Sequence, residues 1–164
     1  MNRLHVIGRK NHGKTMLLVE LVAELVRRGR VVGTIKHTHH RHELDVPGKD
    51  SHRHRIAGAA AVGVLSQGMS AIFLPADGRR EGEDRYASFA PAFAGCDFVL
   101  VEGDSQTAAP KLEVWRADLG VEPLAATDDA VLAVATDDHP PCSAPVLRRS
   151  NLASIADWVL QVVG

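Results

Sequence analysis

The sequence predicts an α/β fold with three layers, α/β/α, around a mostly parallel sheet. Its 164 residues are 45% apolar and 24% charged, which suits one globular domain spanning residues 1–164. Within the first 35 residues, a strand pattern, a glycine-containing loop, a helix pattern and a second strand pattern follow one another. Because a strand–helix–strand unit joins parallel strands, these observations indicate the fold class.

The first unit begins with a strand at residues 4–7, a short apolar run that ends at Gly8. Apolar residues then recur at helical spacing from Lys14 to Arg28, and Gly29 is typical of the position just beyond a helix. Residues 31–35 predict the second strand.

The same patterns predict the later elements. The sequence predicts strands at residues 61–65, 71–74, 98–101, 112–115 and 131–135, and helices at residues 50–59, 84–94 and 150–163. Residues 36–50 are polar and contain Pro47 and Gly48, which favour a long loop or a small hairpin. We therefore expect a small β extension around residues 36–50.

The net charge of −1 hides an uneven distribution of charge. Residues 1–60 contain 12 Lys and Arg against 5 Asp and Glu, whereas the rest of the chain contains 7 against 15. Six of the nine histidines lie between His37 and His54. A basic, histidine-rich first third indicates a local anion site and argues against a nucleic-acid-binding surface.

Residues 8–15, with the sequence GRKNHGKT, match the pattern GxxxxGK followed by Ser or Thr that defines a phosphate-binding loop, or P-loop. Its glycines let backbone N–H groups curl around phosphate oxygens, its lysine reaches the terminal phosphates, and its hydroxyl can hold Mg²⁺. The loop lies between a predicted strand and an amphipathic helix, whose positive dipole end faces the same anion. The motif therefore predicts a nucleoside triphosphate site.

An acidic partner for the metal is expected at the end of a neighbouring strand. Strand 98–101 is preceded by Asp97 and followed by Glu102. Because ligands of open α/β sheets bind beyond the carboxyl ends of strands, we favour Glu102 to hold Mg²⁺ or to position water. Asp45 is a second candidate for activating water.

The segment from Lys36 to Arg55 mixes histidines with lysines and arginines. If this segment continues a strand, His37 and His39 share one face, and His40 and His42 share the other. Each pair could bind Zn²⁺, with Asp45 or His54 completing the set of ligands. The interleaved positive charges disfavour a cation, so contact with an anionic ligand or a partner is the preferred interpretation. A solvated switch loop remains an alternative.

Base recognition is less visible in the sequence. The N/T-K-x-D motif of common GTPases is absent from the chain. Thr136, Asp137 and Asp138 follow a predicted strand, where a carboxylate could accept hydrogen bonds from guanine or could cap a turn and a helix. These residues alone support guanine and adenine equally.

Several strings of residues resemble the family of molybdopterin-guanine dinucleotide biosynthesis protein MobB. They are the P-loop, IKHTHH at residues 35–40, DVPGKDSHRHRIAG at 45–58, VLVEG at 99–103, KLEV at 111–114 and AVATD at 133–137. The second and third strings are far more specific than the P-loop. One departure follows the Glu-Gly pair, where relatives tend to have an aromatic residue and Lys but this chain has Asp104 and Ser105.

The resemblance implies a P-loop fold of the class shared with dimeric metal-insertion GTPases. It implies a homodimer that binds GTP with Mg²⁺ and is at most a weak GTPase. It further implies an adapter to the guanylyltransferase that attaches GMP to molybdopterin, with molybdopterin or a molybdenum-insertion protein as further candidate partners. Residues 37–55 would line the site near the phosphates, or contact the pterin or the partner.

The candidate site residues come from both lines of reasoning. The candidate nucleotide-binding residues are Gly8, Asn11, His12, Gly13, Lys14, Thr15, Met16, Lys36, His37, Arg53, Thr136 and Asp137. Thr15 and Glu102 are the candidate Mg²⁺ ligands, and Glu102 and Asp45 are the candidate catalytic residues.

Two other classes of protein remain open. One is a metallochaperone GTPase that delivers an ion through the histidine-rich segment, and the other is a small-molecule kinase with Arg79 and Arg80 in its lid. No apolar run is long enough to span a bilayer. Met1 to His5 carry one charge and lead into a strand, so we expect a cytoplasmic protein without a signal peptide.

Overall fold

The structure is a computed structural model that describes residues 1–38, 43–75 and 84–164. Contacts divide the chain into two compact units, Met1–Thr38 with Ser88–Gly164, and His39–Ala87. The expectation of a single domain over residues 1–164 stays a prediction.

The first unit is built on a six-stranded sheet. Numbered along the chain, its strands are β1 (Arg3–Ile7), β2 (Val32–Lys36), β5 (Phe98–Glu102), β6 (Lys111–Val114), β7 (Val131–Ala135) and β8 (Val146–Leu147). Their order across the sheet is β2-β5-β1-β6-β7-β8, and every neighbouring pair is parallel. The predicted α/β class with a mostly parallel sheet is therefore confirmed.

Two helices, α1 (Lys14–Arg27) and α3 (Leu152–Val163), pack against one face of this sheet and against each other. Leu17, Leu21 and Leu25 recur every four residues along α1, so they share one side of the helix and are fully buried. Ile155 and Val159 do the same on α3 and lie in the same apolar cluster. None of the helices in the described ranges is long and apolar enough to cross a membrane.

The other face is covered at β2 by the 3₁₀ segment Ala87–Phe93, where the sequence predicts a helix over residues 84–94. Val32 packs into the α1–α3 core, so its neighbour Gly33 faces the opposite way. A Cβ at Gly33 would collide with the ring of Phe93. Glycine at this position therefore lets the segment lie directly on the strand.

A second 3₁₀ segment, Leu124–Ala126, covers the same face at β6. Leu112 lies in the α1–α3 core, so the next residue, Glu113, points to the opposite face. The fully buried Glu113 carboxylate accepts hydrogen bonds from the backbone N–H groups of Leu124 and Ala125, both at 2.9 Å. Burial raises the pKa of Glu113, although these two hydrogen bonds oppose the shift. On this face, one 3₁₀ segment thus packs on the sheet through an aromatic ring, and the other is held to the sheet by hydrogen bonds.

The second unit contains α2 (Asp50–Ile56) and an antiparallel hairpin of β3 (Val62–Leu65) and β4 (Ser70–Phe73). The small β extension therefore lies later in the chain than the predicted residues 36–50. In the described part of that segment, β2 ends at Lys36 and no strand follows. Asp45 Oδ1 instead accepts hydrogen bonds from Val46 N and Ser51 Oγ, both at 2.8 Å. Such local side-chain bonds compete with strand pairing.

Candidate functional site

The P-loop connects β1 to α1 at the carboxyl edge of the sheet. Three of its residues have positive φ angles: Gly8 at 138°, Asn11 at 69° and Gly13 at 93°. A Cβ at Gly8 would collide with the carbonyl oxygen of Val114, so no other residue fits there. Backbone turns of this kind direct successive N–H groups inward, and the start of α1 at Lys14 adds the positive end of a helix dipole. The loop therefore fits a phosphate group.

The ammonium of Lys14 lies within this loop. Its Nζ donates a hydrogen bond to the carbonyl oxygen of Arg9 at 2.7 Å. Burial lowers the pKa of Lys14, and the charge of Lys36 lowers it further, whereas the charge of Glu102 opposes the shift. A phosphate oxygen is a stronger acceptor for this ammonium than the carbonyl that it now contacts.

Glu102 meets two donors at the end of β5. The register pairs Glu102 with Lys36 on β2, and alternation puts both side chains on the α1 face of the sheet. Thr15, in the first turn of α1, donates its hydroxyl to Glu102 Oε1 at 2.8 Å. Lys36 Nζ donates to the same oxygen at 2.5 Å. The fold thus brings three predicted site residues to one point.

The Glu102 carboxylate is held in its ionised form. Burial alone would raise the pKa of Glu102, but the hydrogen bonds from Lys36 and Thr15 and the charges of Lys36 and Lys14 outweigh it and lower this pKa. A hydroxyl and an ionised carboxylate that touch each other are oxygen ligands of the kind that Mg²⁺ prefers. The side chains of Thr15 and Glu102 therefore fit a magnesium ion between the loop and β5.

The turn after Glu102 is fastened by backbone and side-chain hydrogen bonds. His37 N donates to the carbonyl oxygen of Glu102 at 2.9 Å, which places His37 beside the site through its backbone. Arg3 Nε donates to His5 Nε2 at 3.3 Å, so the proton of this imidazole is assigned to Nδ1, which lies 3.1 Å from the carbonyl oxygen of Gly103. Burial lowers the pKa of His5, which favours this neutral ring.

Asp104, which differs from the aromatic residue that the resemblance implies after the Glu-Gly pair, is only 3% exposed. It has a φ of 61°, a conformation that Asp tolerates better than most residues. Its charge acts on His5 and raises the pKa of that imidazole against the larger effect of burial. The structure thus puts Asp104 next to His5.

A cavity of about 290 Å³ opens at the carboxyl ends of β6 and β7. It is lined by Val114, Trp115, Arg116, Asp118, Thr136, Asp137, Asp138 and Arg149. Trp115 is 5% exposed and donates its Nε1–H to the carbonyl oxygen of Val121 at 2.8 Å, which fixes the indole. The sequence indicated Thr136, Asp137 and Asp138 but missed the residues after β6 and Arg149.

Asp137 binds the residue that precedes the N-cap of α3, and the cap itself is Asn151. Its Oδ1 accepts hydrogen bonds from Ser150 N at 3.0 Å and Ser150 Oγ at 2.8 Å. These bonds, with the charges of Arg148 and Arg149, lower the pKa of Asp137 and keep it ionised. Thr136 is buried, and its Oγ1 accepts from Asp138 N at 3.0 Å. Base recognition by Asp137 would have to use Oδ2, which has no hydrogen bond to the described residues.

Three other P-loop predictions have different surroundings. The side chain of His12 is 1% exposed, and burial lowers its pKa, so this imidazole lies inside the protein and not over the loop. The side chains of Asn11 and Met16 are exposed. The nucleotide-binding roles of Asn11 and Met16 stay predictions.

The remaining predicted residues belong to the second unit or lie outside the described ranges. Asp45 is 8% exposed and bound to Ser51, and Arg53 is an exposed residue of α2. The nucleotide role of Arg53 and the catalytic role of Asp45 stay predictions. The histidine pairs proposed as zinc ligands include His39, His40 and His42, which lie outside the described residues, as do Arg79 and Arg80 of the lid. Within the described ranges, no three His, Cys, Asp or Glu side chains come together as a metal site.

Comparison with known proteins identifies the family of the chain. The family model for molybdopterin guanine dinucleotide synthesis protein B (MobB) matches residues 3–137. The chain is 34% identical over 150 residues to the molybdopterin-guanine dinucleotide biosynthesis adapter protein of Escherichia coli, covering 91% of this chain and 86% of that protein. It is 33% identical over 162 residues to the adapter protein of the same name from Haemophilus influenzae, covering 95% and 86%.

Solved structures extend the comparison to the fold. The crystal structure of a MobB homolog from Bacillus stearothermophilus aligns with a TM-score of 0.64 at 27% identity, covering 99% of this chain and 98% of that one. The MobB structure from Bacillus subtilis aligns over 100% and 99% with a TM-score of 0.69, and at 22% identity it supports the fold alone. Since the family model spans most of the chain and two relatives exceed 30% identity, this chain belongs to the MobB family.

Proposed function

We propose that this chain is an adapter protein of molybdopterin guanine dinucleotide biosynthesis that binds GTP with Mg²⁺. The adapter role follows from the relatives' names and the family match. The single observation that carries nucleotide binding is the contact of Thr15 with Glu102 at 2.8 Å beside the P-loop. In this proposal the protein presents GTP to the guanylyltransferase that attaches GMP to molybdopterin, in the cytoplasm.

Each residue has a defined task in the proposed mechanism. The backbone N–H groups of the P-loop and the ammonium of Lys14 bind the phosphates. Thr15 and Glu102 hold Mg²⁺, which supplies charge neutralisation at the terminal phosphates. The cavity beyond β6 and β7 receives the base, with Asp137 as the candidate acceptor for the hydrogens of guanine. This division follows the chemistry that each group offers.

Hydrolysis in this proposal is slow. Glu102 receives two hydrogen bonds on Oε1, and its pKa is lowered, so it is a weak base for activating water. Asp45 is the other candidate base. Slow hydrolysis suits an adapter, because the nucleotide has to last until the partner enzyme uses it.

A binding panel tests nucleotide specificity. Calorimetry with GTP, GDP and ATP, in MgCl₂ and in EDTA, should give tighter binding of GTP than of ATP and a gain from Mg²⁺. Lys14→Ala should abolish most of the binding, whereas Lys10→Ala, which changes an exposed lysine in the same loop, should not. Unchanged GTP binding by Lys14→Ala would show that the P-loop is not the site.

A second assay tests the adapter role. The purified chain is added to the molybdopterin guanylyltransferase with molybdopterin and limiting GTP, and guanine dinucleotide formation is followed. The wild-type chain should increase the yield, and Lys14→Ala should not. Equal yields with and without the wild-type chain would contradict the adapter role while leaving nucleotide binding intact. Direct contact with molybdopterin or with a molybdenum-insertion protein can be tested by calorimetric titration of the chain with either one.

We also propose that the protein is a homodimer, and the β3–β4 hairpin supports this. A two-stranded hairpin is marginally stable in water, yet here Leu65, Met69 and Ile72 are 86%, 75% and 68% exposed. A second copy of the chain would cover such an apolar surface. Light scattering after size exclusion should give twice the monomer mass, and Leu65→Glu with Ile72→Glu should give a folded monomer. A wild-type monomer would refute the proposal.

A further inference from the structure

Arg116 follows β6 and lies between the P-loop and the cavity at the ends of β6 and β7. Its Nη2 is 3.4 Å from the position that a Cβ on Gly13 would occupy, and its Cζ and Nε are 3.9 Å from that point. The same side chain lines the cavity together with Trp115 and Asp137. One guanidinium thus borders both the phosphate loop and the space next to it.

The pairing of Arg116 differs from that of the other arginine in the cavity. Arg149 is bound to Glu20, with 2.7 Å between Nη2 and Oε2. Arg116 is exposed, and its side chain has neither a hydrogen bond nor an ion pair with the residues in the described ranges. Its five N–H donors therefore have no acceptor in the described ranges, and a ligand can meet the face of its plane that is turned away from Gly13.

We infer that Arg116 binds the nucleoside half of the nucleotide, with its guanidinium plane against the face of the purine. The inference rests on the proposed function, since it requires the phosphates to lie in the P-loop. Arg116 borders both that loop and the cavity, so a base that occupies the cavity would lie against this side chain. A planar cation binds the π face of a purine through stacking and cation–π attraction.

This assignment separates Arg116 from the two lysines near Glu102. Lys14 and Lys36 lie on the Glu102 side of the loop, where their charges act on that carboxylate. Arg116 lies on the β6 side, against Gly13. Arg116 is thus a binding residue for the base, and it contributes to affinity without contacting the terminal phosphates.

The test compares ligands with and without a base. Loss of one base-stacking side chain costs roughly 5- to 150-fold in affinity, so Arg116→Ala should weaken GTP and GDP binding by a factor in that range. Competition by inorganic tripolyphosphate against labelled GDP, corrected for the changed affinity of the probe, should give an unchanged inhibition constant. Arg116→Lys should recover only part of the loss, because an ammonium has no plane to stack. Arg30→Ala, at an exposed arginine away from the cavity, is the matched control.

Three results would overturn the inference. If Arg116→Ala weakened the binding of tripolyphosphate and of GTP equally, Arg116 would be a phosphate ligand. If Arg116→Lys recovered the full GTP affinity, the positive charge alone would explain the contribution of Arg116, without stacking. Unchanged GTP affinity in Arg116→Ala would remove the residue from the site. If the wild type binds GTP in a manner that depends on Lys14, each of these results leaves the proposed function standing. Failure of the wild type to bind GTP would overturn both proposals together.

Discussion

Replacing Glu102 by Gln tests the metal site most directly. The amide oxygen of Gln can still accept the hydrogen bond from Thr15 Oγ1, so that contact is kept. The negative charge next to Lys36 is lost, but Lys36 is 66% exposed, and an ion pair with so exposed a partner contributes about 0–1 kcal/mol. We therefore expect a fall in melting temperature of no more than about 4 °C.

The effect on nucleotide binding should be larger than the effect on stability. A neutral amide is a poor magnesium ligand. Loss of a group that only hydrogen-bonds to a metal ligand typically costs about 10- to 100-fold in metal affinity or activity, and loss of a ligand should cost at least as much. The ratio of GTP affinity in MgCl₂ to GTP affinity in EDTA should therefore be much smaller for the variant than for the wild type. In EDTA, the variant should bind GTP at least as tightly as the wild type, because a negative charge near the phosphates is gone.

The control lies at the other end of the same strand. Asp97 precedes β5 and accepts a hydrogen bond from Val31 N at 2.9 Å, away from the P-loop. Asp97→Asn removes one carboxylate charge and should leave the dependence on Mg²⁺ unchanged. If Glu102→Gln is folded and gains as much from Mg²⁺ as the wild type does, Glu102 is not part of the metal site.

Three further substitutions test other parts of the first unit. His5→Asn keeps a donor but cannot titrate. Because burial lowers the pKa of His5 below its ordinary value of 6.5, the unfolded chain takes up this proton first as the pH falls, so the wild type should lose stability relative to the variant below about pH 6.5. Gly33→Ala should cost about 1–3 kcal/mol of unfolding free energy because its methyl meets the Phe93 ring. Lys36→Met should weaken GTP binding in EDTA and increase the gain from Mg²⁺, because the cation that competes for Glu102 is removed.

Each of these expectations has its own readout and control. Chemical denaturation between about pH 7.5 and 5 follows the difference between wild type and His5→Asn, and a constant difference would refute the shift. Gly95→Ala, where a Cβ meets nothing within 4 Å, is the control for Gly33→Ala, and equal stability of the two variants would refute the predicted collision. Equal losses of GTP affinity in EDTA and in MgCl₂ would mean that Lys36 is a phosphate ligand and does not compete with the metal.

The long and strongly patterned elements could be predicted from the sequence. The strand predicted at residues 131–135 is β7 as observed, and the helix predicted from Lys14 to Arg28 is α1 within one residue. The 3₁₀ segment Ala87–Phe93 was predicted as a helix over residues 84–94. The three-residue 3₁₀ segments and the two-residue β8 were not predicted, because such short elements contain too few residues to show a period. The hairpin β3–β4 was predicted as two strands, but strand pairing depends on contacts that periodicity does not encode.

The parts of the site that depend on contacts between residues far apart in the sequence could not be predicted. The P-loop could be identified because all of its chemistry lies within eight consecutive residues, 8–15. The contact of Lys36 with Glu102 depends on β2 pairing with β5, and the two residues are 66 positions apart. Arg116 belongs to no motif and is brought to Gly13 by the pairing of β1 with β6. The sequence does not distinguish His5 from an ordinary strand residue, because its role depends on the carbonyl oxygen of Gly103 in the turn after β5.

Two donors share one oxygen of Glu102, and this sharing limits how a metal ion could bind there. Thr15 and Lys36 both donate to Oε1, so a metal ion that takes this oxygen has to displace at least one of them. Lys36 is the group that can move, because its side chain is 66% exposed, whereas Thr15 is held in the first turn of α1. The ammonium of Lys36 neutralises Glu102 in the structure, and under the proposed metal binding it would leave Glu102 and become free for another anion. This exchange requires Glu102→Gln and Lys36→Met to change the magnesium dependence of GTP binding in opposite directions, which two independent phosphate and metal contacts would not do.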